Sequence, residues 1–138
     1  MVFDDTVYYA AGIWPSGGVF LHALDATTGA VIWSNDRTGG LVMPQPHSGA
    51  EARSGVTPQG YLVATSKQLF VPTGRSVPAA FQRSNGELEH YLLQENGSIG
   101  SARTMAAEQF LINGGCFLEQ SSGELAAPHR PAGAGRGL

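Results

Sequence analysis

Three glycines, Gly29, Gly86 and Gly123, each end a short polar turn between two apolar runs. Superposing them aligns three segments of the chain. The first is MVF-DD-TVYYAAG and, after an insertion, VFLHALDATTGAVIW. The second is GYLVA-TSK-QLFVPTG followed by AAFQRSNGELEHYLL, and the third is ARTMA-AE-QFLINGG followed by CFLEQSSGELAA. The glycines lie 57 and 37 residues apart. Each segment offers an apolar strand, a tight polar turn, a second apolar strand ending in glycine, and an outer hairpin.

A repeat of roughly 40 residues with four strands predicts an all-β chain. The expected architecture is a partial β-propeller of about three four-stranded antiparallel blades. Blade 1 is expected at about 1–35, a long loop at 35–58, blade 2 at about 59–94 and blade 3 at about 100–126. Met1 to Phe3 reads as the tail of an innermost strand, so the chain is expected to start within a blade. It is read as a fragment of a longer protein, or as a short form that completes a ring by assembly, because bare blade faces and edges need partners. The end of the chain, 127–138, is low-complexity Ala, Gly, Pro and Arg and is expected to be disordered.

The best-formed copy is Val19 to Trp33. Val19 to Ala23 and Ala30 to Trp33 are the strands, and Asp25 to Gly29 is the turn. Gly29 suits a positive φ. The Asp25 carboxylate is expected to accept from the amides that follow it, with Thr28 adding a weaker bond. Turn chemistry therefore accounts for Asp25 without a catalytic role. In the later copies Gln82 and Glu119 replace Asp25, Asn85 and Ser122 replace Thr28, and His90 and Ala127 replace Trp33. Asn-Gly and Ser-Gly remain good hairpin turns. A docking contact by the Trp33 side chain is expected in the first blade alone.

The phrase Ala23-x-Asp25-x-x-Thr28-Gly29-x-x-x-Trp33 resembles the blade signature of pyrroloquinoline-quinone (PQQ) dehydrogenase-like propellers. The phrases QPHSGA, GVTPQGYLVA, LFVPTGRSVPAAF and NGELEHY add a likeness to PQQ-like propeller segments of large planctomycete-type bacterial proteins. The resemblance covers 1–125. It implies that Trp33 docks one blade on the next and that the parent protein is extracytoplasmic. The expected role is a non-catalytic binding or scaffolding module, with no cofactor of its own and with further blades of a parent chain, or self-assembly, as partners. The alternative it implies is part of a PQQ-dependent alcohol or sugar dehydrogenase. Its catalytic Asp and calcium ligands would then lie outside this chain.

Composition narrows the classes. A net formal charge of −3 with 14% charged residues argues against a nucleic-acid binder. No apolar run approaches the roughly 18 residues of a membrane span, and MVFDDTVYY lacks the basic and apolar regions of a signal peptide. The lone Cys116 forms no internal disulfide and reads as a buried small side chain. His22, His47, His90 and His129 lack metal-ligand spacing. No serine-nucleophile or phosphate-loop motif is present. In an up-and-down blade, the loops between strands 2 and 3 and between blades share one face of the disc. The unusual polar side chains fall there, so a ligand is expected on that rim, with Trp14 as a stacking surface and His47 and Arg75 as polar or anion contacts.

Overall fold

The computed structural model describes residues 1–12, 17–45, 49–74, 76–93 and 100–126. Four antiparallel sheets make up an all-β chain. The first sheet holds β1 (Val2–Phe3), β2 (Thr6–Ala11), β3 (Phe20–Asp25) and β4 (Val31–Asn35), hydrogen-bonded in chain order. A two-stranded ribbon, β5 (Val42–Pro44) and β6 (Glu51–Arg53), follows. The second four-stranded sheet holds β7 (Val63–Ala64), β8 (Gln68–Val71), β9 (Ala79–Gln82) and β10 (Leu88–His90). The third holds β11 (Thr104–Ala107), β12 (Phe110–Asn113) and β13 (Cys116–Glu119). A single bridge between Leu118 and Leu125 stands where its fourth strand would run.

Local chemistry sets these hairpins. Asp4 and Asp5 turn the chain between β1 and β2 with φ of 45° and 52°. Positive φ at both central residues matches the right-handed twist of the flanking strands, and Asp tolerates it better than most residues. The β3–β4 turn recurs in all three sheets with one backbone pattern. Gly29 N donates to Asp25 O at 2.9 Å, and Gly86 N to Gln82 O and Gly123 N to Glu119 O at 2.8 Å. The residue after each third strand reaches back to the first turn: Ala26 N to Asp5 O, Arg83 N to Lys67 O and Gln120 N to Gln109 O. The shape of the repeat is thus carried by backbone bonds and glycine, and it survives the loss of the Asp-Thr signature.

The sheets stack through two apolar cores. Tyr8, Leu21, Ala23 and Trp33 of the first sheet pack with Leu69, Val71, Ala79 and Phe81 of the second, joined by Val56. Phe70 and Ala80 of the second sheet, with Val77 from the connection before β9, pack with Leu111 and Leu118 of the third. Along β8, Leu69 and Val71 face one core and Phe70 faces the other, the period-2 alternation of a strand. The second sheet is therefore buried on both faces, which is why its strands read as continuous apolar runs.

The long connection is more ordered than the sequence suggests. Within 35–58, Val42–Pro44 pairs with Glu51–Arg53. A 3-10 turn at Thr38–Gly40 precedes the ribbon. Asn35 opens it as Asp25 opens its own turn, with Oδ1 accepting from Arg37 N, Thr38 N and the Thr38 hydroxyl at 3.0–3.2 Å. A side chain at Gly55 would collide with the Thr38 and Gly39 carbonyls. This close approach lets Val56 N reach Thr38 O and plants Val56 in the first core. The expected disorder of 127–138 concerns residues outside those described.

Truncating the doubly buried sheet should be costly. Phe70→Ala is expected to lose about 3–5 kcal/mol in chemical denaturation, whereas Tyr9→Ala, on the open face of the first sheet, should lose about 1 kcal/mol or less.

Candidate functional site

The polar side chains of the first repeat are committed to its turn. Asp25 Oδ1 accepts from Thr27 N at 3.0 Å, Thr28 N at 2.7 Å and the Thr28 hydroxyl at 2.8 Å. The Thr28 Oγ1 in turn accepts from Ala30 N at 3.3 Å. Its backbone amide first, and then the Thr28 hydroxyl, hold the Asp25 carboxyl below its ordinary 3.8. A carboxylate held ionised by three donors is poorly suited to act as a general base. Asn85 and Ser122 repeat the Thr28 bond, accepting from Glu87 N at 2.9 Å and Glu124 N at 3.2 Å.

Each outer strand then reaches the following sheet through a ring. Trp33, in the middle of β4, donates Nε1–H to the Arg83 carbonyl at 2.9 Å, and its ring covers Gly86 so closely that no β-carbon fits there. Asn35 adds an amide bond to the Gly86 carbonyl at 2.7 Å. The second sheet repeats the device with a different residue. His90 Nε2 lies 2.9 Å from the Gln120 carbonyl, and a β-carbon on Gly123 would lie 2.9 Å from His90 Nδ1. Because a carbonyl only accepts, His90 is the Nε2–H donor. The docking contact is thus not confined to the first repeat. The second position keeps a flat ring with an N–H at its edge, which is the chemistry the contact uses.

Two open grooves follow these contacts. One, of about 500 Å³, lies between the first and second sheets beside Asp4, Lys67, Gln82, Arg83 and Glu89. Across it Arg83 pairs with Asp4 at 2.8 Å and lies 5.0 Å from the Phe3 ring centre. The other, of about 450 Å³, lies between the second and third sheets beside Gln68, Glu89, Gln109, Glu119 and Gln120. Both are on the side of the first and third hairpin turns. The three rim residues, Trp14, His47 and Arg75, lie outside the described residues. The structural residues Asp25, Thr28, Gly29, Trp33, Gly86 and Gly123 are all described, and the grooves adjoin the turns of the second and third.

Other reactive groups are scattered. Among the described residues no three His, Cys, Asp or Glu side chains converge to hold a metal ion. Cys116 is half-buried against the second core, less enclosed than its sequence context suggests. Tyr91 packs beside the first core, where burial pushes its phenol up.

Trp33→Ala is expected to cost about 3–5 kcal/mol, since it removes a buried ring and its bond. His90→Ala should cost about 1–3 kcal/mol by leaving the Gln120 carbonyl without its ring donor. Thermal and denaturant melts of the two variants check both. The lowered Asp25 carboxyl contributes stability above its unfolded value, and this is lost as pH falls through the folded one. Asp25→Asn should flatten that acid limb, and a carbon-detected titration of Asp25 should place its midpoint below 3.8.

No protein-family model matches the chain, and no curated protein sequence matches it either.

Proposed function

We propose that the three sheets are successive blades of a β-propeller segment. In this reading the segment serves as a non-catalytic binding or scaffolding module within a larger extracytoplasmic protein. One observation carries it: the same ring-on-glycine contact joins the first sheet to the second and the second to the third, at equivalent positions. Sheets repeated in one direction with one contact are what a radial array requires. The up-and-down strand order of each large sheet supports the same reading. Localisation and the larger parent protein come from the family resemblance of 1–125.

The scaffolding half of the reading follows from where the chemistry is spent. Asp25 is held in a turn and Asp4 by an arginine, while the ring nitrogens of Trp33 and His90 bind backbone. What is left open is shape: two inter-sheet grooves whose polar lining is amides, carboxylates, hydroxyls, Lys67 and the Asp4-paired Arg83. Such a lining suits polar contact with a partner better than bond-making, which needs a pre-organised acid–base or nucleophilic pair.

Titrating the longest polypeptide that contains 1–125 with PQQ and calcium, with absorbance and dye reduction followed in the presence of alcohols and sugars, is the functional test. The expected outcome is neither stoichiometric binding nor turnover. Turnover would overturn the non-catalytic reading. Electron-microscopic averages of the longest polypeptide that contains 1–125 should show a disc of radial sheets, and averages without such a disc would overturn the propeller.

A further inference from the structure

We propose that the Gly29 turn is an open socket for the edge of another sheet of this same repeat, one that bears a Trp or His ring. The proposal rests on reading the three sheets as successive blades. Its basis is a comparison of three equivalent turns within one molecule. Gly29, Gly86 and Gly123 have φ of 72°, 72° and 75° and the same amide-to-carbonyl bond across the turn. Gly86 and Gly123 are buried under the Trp33 and His90 rings, while Gly29 is exposed and has nothing within 4 Å of its β position. The covering ring donates each time to the carbonyl three residues before the glycine, that of Arg83 or Gln120. At the first turn that carbonyl belongs to Ala26, and it accepts no hydrogen bond among the described residues.

The sheet face beside the socket is open in the same way. Val7, Tyr9, His22 and Leu24 occupy the positions that Leu69, Val71, Ala79 and Phe81 occupy in the second sheet. The latter four are all 0% exposed beneath the first sheet, whereas Tyr9 is 41% exposed and Val7, His22 and Leu24 are half-buried. The first sheet therefore presents the receiving half of an interface whose complete form occurs twice inside the chain. The occupant is defined by the donating half, which is an outermost strand carrying an indole or imidazole four residues after its own turn glycine, as Trp33 follows Gly29 and His90 follows Gly86. The third repeat of a second copy carries Ala127 at that position and lacks the ring. That difference separates a ring-bearing partner from simple self-association.

The test uses a copy of the chain as probe. Ala127→Trp places an indole at the donating position of the third repeat. The substituted chain should self-associate at least about tenfold more tightly than the unmodified chain in sedimentation velocity, the gain expected of one buried ring and its hydrogen bond. Adding Gly29→Asn, which keeps the positive φ while filling the place of the ring, should abolish the gain. Equal association with and without Gly29→Asn would overturn the proposal, because the contact would then lie elsewhere. No gain from Ala127→Trp, with Trp33→Ala still destabilising, would overturn the socket and leave the stacked-blade reading standing. A neutral Trp33→Ala would overturn that reading itself. Association of the unmodified chain that Gly29→Asn leaves intact would point to a second copy docking without a ring, and would also overturn the socket.

Discussion

The stacking of the sheets depends on a ring laid against a glycine. Trp33 meets Gly86 and His90 meets Gly123, and in each case the ring N–H bonds a carbonyl of the same turn. The two halves of the contact require each other. The turn takes a positive φ, which glycine tolerates without strain, and the missing β-carbon is the space that the ring fills. The hydrogen bond then removes the freedom to slide, because the ring can reach the carbonyl only when the sheets are in one register. Apolar burial supplies the attraction between sheets, and this polar contact selects the arrangement.

That division of labour explains how unequal repeats can stack alike. The second sheet, covered on both faces, has lost polar alternation and runs apolar through Leu69, Phe70 and Val71. The first sheet keeps His22 on its open face, bonded to Ser34 and stacked against Tyr9 at 4.8 Å. Both keep the same backbone turn, so side-chain composition follows the surroundings of each sheet while turn geometry does not change. Asn35 shows the economy of the design: its carbonyl oxygen opens the connection to the ribbon, and its amide holds Gly86 of the next sheet.

Much of this is legible in the chain. Turn glycines between apolar runs place the three outer hairpins, because positive φ and strand periodicity are local properties. The docking role of His90 is hidden for a physical reason: a signature written in residue names treats Trp to His as a loss, whereas the contact needs only a flat ring with an edge N–H. The ribbon of Val42–Pro44 and Glu51–Arg53 is hidden by its Pro- and Gly-rich surroundings, and its ends are fixed by tertiary contacts at Gly55 and Val56 that no local pattern records. The rim residues Trp14, His47 and Arg75 stand outside the described residues. The inter-sheet grooves have no signature in the sequence, since they exist only once two sheets are docked.

Those grooves carry the functional argument further than any single residue does. A site made by stacking has one wall from each of two sheets, so its shape depends on the ring contact that holds them. Arg83 illustrates the coupling: its carbonyl receives the Trp33 ring, and its guanidinium crosses the first groove to Asp4. Loosening the ring would shift the arginine, and a ligand drawing the arginine away would act on the turn that holds the ring. The shape of the groove and the cohesion between sheets are thereby linked through one residue.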